Sequence, residues 1–470
     1  MSLVFYDILF LVVFFIGTSL FLYFKRKNLA QEGSLILYKT QWGVKFIDKI
    51  GQKYKKIIYF LSYVSVFVGY LLMAGIIYLI IKSVYIYLTT PISEQIRAPP
   101  VMPLIPYFPQ LFGLGDVFPA FYFVYFIFAI LIVATMHELS HGIFARASGI
   151  RIKSTGFAFF KYFPALFGAF VEQDEKQMNS KSKFQQMSVL SAGVFANVLV
   201  AVFCFIIMGI YFSTMFTASG VGFYDYAFAI VPASQIVSVN GISLETPSVS
   251  QVLDLVNTGN FSDIQTANET FVGVRNILDE DELLLYYDAP AIRSNLGGII
   301  LEVNNQKITN LNGLSEEIKR YNPGEKIKIK TMDNETELVL GVKPNSEEEP
   351  WLGIVSTKPQ NFFVEEGIHI LSSFQSKNLY LRGNVWHSPR YPGISEFFYY
   401  LFWWIFLINI LVALFNMLPV GILDGGRFFY LTILGISQSK KFATRVFRGM
   451  NYFIFGLFLV LILKWAFSFF

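Results

Sequence analysis

Of the 470 residues, 54% are hydrophobic and 18% aromatic, whereas only 15% carry a charged side chain. Soluble domains carry about 25% charged residues, so this composition excludes an ordinary soluble protein and indicates a polytopic membrane protein. The net charge of +4 is small, and the basic residues do not form an aromatic-interleaved patch, so we expect no nucleic-acid partner. The single cysteine, Cys204, excludes an internal disulfide.

Six apolar stretches of the chain are long enough to cross a hydrocarbon core of about 30 Å. We therefore predict a polytopic α-helical membrane protein with six transmembrane helices embedded in a lipid bilayer. The six stretches are residues 4–24, 57–83, 119–147, 185–212, 396–419 and 451–470.

Lysine and arginine residues are concentrated in three of the connections, at residues 25–56, 146–183 and 440–448. Loops rich in these residues usually stay on the cytosolic side of a membrane. The three loops alternate as same-side loops of a six-helix protein should, so we predict that both termini and the long 213–395 region lie outside. We also expect the loop at 25–56 to contact anionic lipid headgroups.

Two connections between the apolar stretches have an unusual composition. Residues 101–116 are apolar, but their proline and glycine residues make a membrane span unfavourable, and we expect them at the outer membrane interface. Residues 157–172 are apolar and aromatic, with Pro164 and Gly168 near their centre. This composition favours a membrane-associated β-hairpin over a helix.

The 213–395 region is polar and contains short strand-like segments. Residues 236–244 and 300–308 share a pattern of a strand, an asparagine-centred turn and a second strand. The order of segments resembles an α+β PDZ domain over residues 285–356, with a partial second copy over 222–280. The resemblance implies that this outer region binds a C-terminus or an exposed tail, or acts as a bulky filter for substrates.

The pattern that indicates chemistry is His137-Glu138-Leu139-Ser140-His141, near the end of the third apolar stretch. On a helix, residues four positions apart lie on one face about 6 Å apart, so both imidazoles can bind one zinc ion. Glu138 lies beside this face and can act as a general base. Ionisable residues inside a bilayer are costly unless they are paired or bind a metal, which makes a purely structural cluster the weaker explanation.

A hydrolytic zinc site needs a third protein ligand and an open position. Asp424 follows the fifth apolar stretch at a depth similar to that of the histidine pair. Pro419 ends or kinks the preceding helix, and the glycines after Asp424 permit an irregular backbone. His369 and His387 are the alternatives, but the predicted orientation places both outside. We therefore predict that Asp424 is the third ligand.

These two motifs together, a His-Glu-x-x-His in one span and an Asn-x-x-Pro…Leu-Asp-Gly in a later one, resemble the site-2 protease family of intramembrane metalloproteases. The resemblance implies Zn²⁺ as the cofactor, held by His137, His141 and Asp424, and acid–base catalysis by Glu138. It also implies that the partners are other membrane proteins, whose transmembrane segments are the substrates.

A further motif of this family, Gly-x-x-x-Asn, is matched by Gly193-Val-Phe-Ala-Asn197 in the fourth apolar stretch, although Val194 replaces a proline that the family often has there. The resemblance implies that Asn197 orients the substrate or contacts the oxyanion. A polar packing contact between helices is the alternative interpretation.

The hairpin at 157–172 has two interpretations. A substrate helix must be unwound before cleavage, and a hairpin with a free edge can hold the unwound segment by strand addition. The alternative is an interfacial loop with no role in substrate binding.

These features divide the chain into six segments. In order they are the N-terminal transmembrane helices with the interfacial segment (1–118), the catalytic core with the His-Glu-x-x-His helix, hairpin and fourth span (119–212), a partial PDZ-like or linker region (213–284), the PDZ-like domain (285–356), a linker (357–395) and the C-terminal transmembrane helices with the Leu-Asp-Gly motif (396–470).

Three other classes of membrane protein share part of this pattern. A chamber-type membrane zinc protease takes a glutamate as its third ligand, so Asp424 disfavours that class. An inactive homologue that serves as a binding protein usually lacks the catalytic glutamate or a ligand, and all four positions are present here. A metal transporter should carry ionisable residues along more than one span. The sequence therefore predicts an active protease, without defining its oligomeric state.

Overall fold

In a computed structural model, the chain forms two compact units, of which the first comprises Met1–Ser213 with Gly393–Phe470 and the second Thr214–Pro392. The structure describes residues 3–90, 99, 104–112, 114, 118–256, 261–279, 281–344, 346, 348–355 and 380–467.

The described α-helices are α1 (Leu3–Phe24), α2 (Trp42–Lys53), α3 (Lys55–Thr89), α4 (Phe108–Leu111), α5 (Phe123–Ala147), α6 (Glu175–Ser180), α7 (Lys183–Met215), α8 (Val249–Leu255), α9 (Pro290–Arg293), α10 (Leu311–Ile318), α11 (Ile394–Asn416), α12 (Asp424–Ser437) and α13 (Lys440–Phe467). Six of these are long and apolar enough to cross a membrane, namely α1, α3, α5, α7, α11 and α13. The six predicted membrane-crossing helices are thus confirmed by length and composition.

The last of these helices begins earlier than predicted. The basic residues at 440–448 were expected in a loop, but α13 starts at Lys440. No proline interrupts this stretch, so the helix continues past the end of its apolar part. Within it Ala443 is buried, while the basic side chains are exposed.

The predicted loop at 25–56 is also largely regular structure, because it contains α2 and two strands, β1 (Leu29–Glu32) and β2 (Leu35–Thr40). Helix α2 is amphipathic. Its Ile47 is buried, whereas Trp42 is 84% exposed.

Residues 157–172 lie within two longer strands, β3 (Ile152–Phe160) and β4 (Phe167–Gln173), which pair antiparallel with Thr155 opposite Val171. This pair is part of a larger sheet with the order β1-β2-β3-β4. Strand β2 covers the outer edge of β3, so in the described chain β4 is the edge strand next to the helices. The membrane association of this hairpin stays a prediction.

The described part of the second unit contains two larger sheets and two two-stranded sheets. Its strands are β5 (Phe216–Gly222), β6 (Asp225–Tyr226), β7 (Phe228–Pro232), β8 (Ile236–Val239), β9 (Ile242–Ser243), β10 (Ile264–Thr266), β11 (Thr270–Ile277), β12 (Glu282–Tyr287), β13 (Ile299–Val303), β14 (Gln306–Lys307), β15 (Lys326–Thr331), β16 (Glu335–Val339), β17 (Gly341–Val342), β18 (Pro350–Trp351), β19 (Ile354–Val355), β20 (Leu381–Arg382) and β21 (Val385–Pro389). The larger sheets have the orders β7-β12-β11-β10-β8-β9 and β16-β15-β13-β5-β21-β20, with β14 paired to β13. The two-stranded sheets are β17-β18 and β19-β6.

The two similar sequence segments of this unit form the same local structure. The hairpins β8–β9 and β13–β14 turn at Asn240 and Asn304, whose φ angles are 51° and 47°. Asparagine tolerates this left-handed region better than most residues. The assignment of the unit to the PDZ type stays a prediction.

The core of the first unit contains buried side chains from α3, α5, α7, α11 and α12. A hydrogen bond of 2.7 Å joins the buried hydroxyls of Ser65 on α3 and Ser191 on α7, a contact typical of helices packed within a membrane. The polar residues discussed next lie mainly on three of these helices, α5, α7 and α12.

Candidate metal centre and active site

The three predicted metal ligands meet in the first unit. His137 Nε2 lies 3.2 Å from Asp424 Oδ2, and His141 Nε2 lies 3.2 Å from the same oxygen. The two Nε2 atoms are 3.0 Å apart. Among the described residues, these three form the one group of His, Cys, Asp or Glu side chains close enough to share a metal ion.

The spacing of the three donor atoms fits zinc. Ligands about 2.0–2.1 Å from a tetrahedral zinc ion lie roughly 3.3 Å from one another, close to the separations of 3.0 and 3.2 Å found here. Gly193 on α7 keeps the adjacent space open, because a Cβ atom there would lie 2.5 Å from His141 Nε2 and 2.7 Å from His137 Nε2. Two nitrogen donors and one carboxylate form a ligand set that zinc commonly accepts.

The imidazole of His141 is oriented by a backbone carbonyl. Its Nδ1 atom lies 2.6 Å from the carbonyl oxygen of Val189 on α7. A carbonyl oxygen only accepts hydrogen bonds, so Nδ1 carries the proton and Nε2 keeps its lone pair for a metal. Such a partner on the other nitrogen is usual for a metal-binding histidine.

The imidazole of His137 is oriented by Asn197. The Nδ2 atom of this fully buried amide lies 3.1 Å from His137 Nδ1, and its Oδ1 atom has no hydrogen-bond partner among the described residues. When Nε2 of His137 binds a metal, Nδ1 carries the proton and needs an acceptor. Rotation of the amide by half a turn would bring Oδ1 to that position as the acceptor. The contact makes Asn197 a positioning residue for His137, while its contact with substrate stays a prediction.

Asp424 is placed by a tight approach between α12 and the loop before it. Helix α11 ends at Asn416, before Pro419, and Asp424 is the first residue of α12, where its charge favours the helix dipole. A Cβ atom on Gly425 would lie 2.3 Å from the Met417 backbone, and one on Gly426 would lie 2.1 Å from the Val420 carbonyl oxygen. Only glycine fits at these two positions, which explains the glycine pair after Asp424.

The carboxylate of Glu138 contacts the edge strand of the four-stranded sheet. Its Oε2 atom accepts a hydrogen bond of 3.2 Å from the backbone N–H of Val171 on β4. The carboxylate of the next residue, Glu172, accepts hydrogen bonds from Ser154 and Lys39, which tie β4 to the neighbouring strands. The same two bonds hold the pKa of the Glu172 carboxyl below its ordinary value. The predicted general base therefore lies beside the edge of β4.

Two charged residues that support the site escaped the sequence analysis. Asp7 on α1 is buried, and its carboxylate accepts hydrogen bonds of 2.8 and 2.9 Å from the N–H groups of Phe123 and Val124. It therefore caps the start of α5 from another helix. An acidic residue within an apolar span was the available signal.

The second overlooked residue is Arg427, three positions after Asp424. Its guanidinium lies 3.2 Å from the Glu175 carboxylate and donates a 2.7 Å hydrogen bond to Asn179 Oδ1. These contacts tie the first turn of α12 to α6.

Of the alternative metal ligands, His387 lies on β21 in the second unit, and His369 lies outside the described residues.

Comparison with known proteins agrees with this geometry. The sequence matches the model of peptidase family M50 over residues 125–462, more than half of the chain. The chain belongs to peptidase family M50. The predicted resemblance to the site-2 protease family is thereby confirmed, since M50 comprises these membrane zinc metalloproteases. The chain is also 25% identical over 403 residues to an uncharacterized protein of Methanocaldococcus jannaschii, a match that covers 85% of this chain and 78% of that protein.

Membership of family M50, together with six apolar helices, identifies the chain as an integral membrane protein of a metallopeptidase family. The matched range contains the histidine pair on α5, the Gly193–Asn197 segment on α7 and Asp424 on α12.

Proposed function

We propose that the chain is a zinc-dependent intramembrane endopeptidase that hydrolyses peptide bonds in the transmembrane segments of other membrane proteins. The observation that supports this most is the approach of His137, His141 and Asp424 to within 3.2 Å of one another. Zinc held by these side chains would polarise the scissile carbonyl and acidify water.

Glu138 is the proton carrier in this proposal. It follows the first ligand on α5, and one of its oxygens accepts the Val171 N–H. Its carboxylate would accept a proton from the attacking water and return it to the leaving amine, as a general base and then a general acid.

The edge of β4 is the proposed docking site for the substrate. Backbone groups of a helix are hydrogen-bonded within the helix, so a transmembrane segment must become extended before cleavage. An extended segment added to β4 would exchange backbone hydrogen bonds with that strand, and the Val171–Glu138 contact would bring its peptide groups next to Glu138.

The identity of the third ligand supports this proposal over a chamber-type membrane zinc protease. The carboxylate that meets the histidine pair belongs to Asp424 at the start of a helix, whereas the chamber-type enzymes use a glutamate. We further propose that the active site opens towards the cytosol and that the second unit lies outside.

The test measures zinc and proteolysis on the purified full chain. We expect about one zinc ion per chain in the wild type, as one cluster predicts, and much less in His141→Ala and Asp424→Ala. The matched control, His387→Ala, removes a histidine outside the cluster and should keep its zinc.

Proteolysis is then measured on a reconstituted transmembrane substrate. Glu138→Gln should keep its zinc yet lose cleavage by a factor of roughly 10²–10⁴, the usual contribution of a general base. Retained cleavage in this variant would remove Glu138 from the mechanism. A wild type that fails to take up zinc would contradict the proposed metalloprotease itself.

A further inference from the structure

The first turns of α13 carry four basic side chains around one cavity. Lys440, Lys441, Arg445 and Arg448, together with Thr444, line a cavity of about 470 Å³. Positions 441, 445 and 448 are separated by four and three residues, so they lie on one helical face. All five side chains are exposed.

These cations have no acidic partner among the residues that the structure describes. Within the described part of the chain, none of the four forms an ion pair or a side-chain hydrogen bond with a carboxylate. The lysines of β15 differ, since Lys326, Lys328 and Lys330 each pair with a glutamate, Glu337, Glu335 and Glu302 respectively. Like charges held close together repel one another, so the cavity on α13 favours an anion.

An apolar stripe continues from the same helical face. Tyr452, Phe455 and Leu459 follow Arg448 at intervals of four, three and four residues, and they are 70%, 67% and 45% exposed. After Arg448 the rest of the described helix contains one charged residue, Lys464. The cavity therefore lies at the boundary between the basic first turns of α13 and its apolar, membrane-crossing part, and both parts contribute to the same helical face.

We propose that this cavity binds the phosphate headgroup of an anionic phospholipid, whose acyl chains lie along the stripe of Tyr452, Phe455 and Leu459. Basic side chains just outside a transmembrane helix attract anionic headgroups, and Thr444 offers a hydroxyl donor. The exposed apolar stripe favours a lipid over free phosphate, because phosphate alone would leave that surface without a partner.

The proposed lipid site adjoins the segment that leads into Asp424. Asn451, three residues after Arg448, accepts a 3.1 Å hydrogen bond from the N–H of Gly421. The ring of Phe447 lies 3.6 Å from the position that a Cβ atom on Gly421 would occupy. A bound headgroup would hold this turn of α13 and thereby steady the loop before Asp424. The lipid site itself does not depend on the proposed proteolysis.

The test titrates the delipidated full chain in neutral detergent with dihexanoyl phosphatidylglycerol, and native mass spectrometry counts the bound lipid. The variant Lys441→Gln/Arg445→Gln/Arg448→Gln should bind it much more weakly, by roughly fivefold for each basic residue removed. The control Lys326→Gln/Lys328→Gln/Lys330→Gln removes the same charge from β15 and should bind like the wild type. Binding should also weaken at high salt.

Two further ligands separate the possible sources of the anion. Dihexanoyl phosphatidylcholine, which has no net charge, should bind more weakly than phosphatidylglycerol, and inorganic phosphate should bind more weakly still. Equal affinity for phosphate and phosphatidylglycerol would replace the lipid by a free anion and overturn the proposal. Unchanged phosphatidylglycerol binding in the triple variant would overturn it as well. Circular dichroism checks the fold of that variant, and Arg445→Gln alone replaces it if the helix content falls.

Discussion

Gly193 shows how the absence of one side chain keeps the metal centre open. A methyl group at this position would lie 2.5–2.7 Å from the ring nitrogens of His137 and His141, well inside van der Waals contact. We expect Gly193→Ala to lose zinc while the helix remains, since alanine favours helices. Gly209→Ala on the same helix is the control, because nothing lies within 4 Å of its Cβ position. Zinc per chain, measured by atomic absorption, decides the outcome, and an equal zinc content in both variants would contradict the steric argument.

Asn197 is expected to act on the metal through His137. Asn197→Leu removes the acceptor for His137 Nδ1–H and should lower zinc affinity by roughly 10–100-fold, the usual effect of losing a ligand's outer partner. Asn197→Asp keeps an acceptor and should keep most of the affinity. Competition with a fluorescent chelator measures both dissociation constants. Full affinity in the leucine variant, combined with a lower kcat, would instead support the predicted contact with the substrate or the oxyanion.

The side chains of the site could be predicted from the sequence, but their backbone partners could not. His137, Glu138 and His141 follow from spacing on one helix, and Asp424 from its place after a membrane span. The Val189 carbonyl and the Val171 N–H contact the site through long-range packing. Because nearly every residue has these backbone groups, the residue type does not reveal which of them reach the site. Asp7 did leave such a mark, as an acid within an apolar stretch.

The edge of β4 can be tested by removing one backbone donor. Ala169 lies two residues before Val171, so its N–H points to the same edge, because successive residues of a strand alternate in direction. Ala169→Pro should therefore slow cleavage of a transmembrane substrate but keep zinc, since no metal ligand changes. Ala169→Val keeps the N–H and is the control. Equal cleavage rates in the two variants, measured on one reconstituted substrate, would exclude strand addition at this position.

The elements that the sequence located least well are those that continue beyond the apolar core. Charge marked 440–448 as a loop, but lysine and arginine are good helix formers, so α13 extends beyond its apolar part. Strands β1 and β2 lie in a connection that the sequence marked only as basic, and β2 pairs with β3 across more than a hundred residues. Hydropathy detects burial in lipid and carries little information on such pairing.

For the whole molecule, the composition of the chain changes from apolar to polar at the inserted region. The second unit covers Thr214–Pro392, close to the predicted 213–395. The internal division at 284 and 285 was drawn from the sequence repeat, but the larger sheet combines β5 with β13 and β21. Segments from the start and the end of the region thus share one sheet, and pairing of this kind cannot be derived from local patterns.

The orientation of the whole chain is predicted from its basic loops, and it can be measured with a single reactive thiol. The chain has one cysteine, Cys204, which is buried, so Cys204→Ser provides a background without reactive thiols. Ser34→Cys, between β1 and β2, and Ser243→Cys, on β9, then place one exposed thiol in each unit. Because lysine-rich loops stay in the cytosol, a membrane-impermeant maleimide added to intact cells should label Ser243→Cys and reach Ser34→Cys only after lysis. The reverse pattern would place the active site on the outer side and the second unit inside, and would contradict the proposed opening of the active site towards the cytosol.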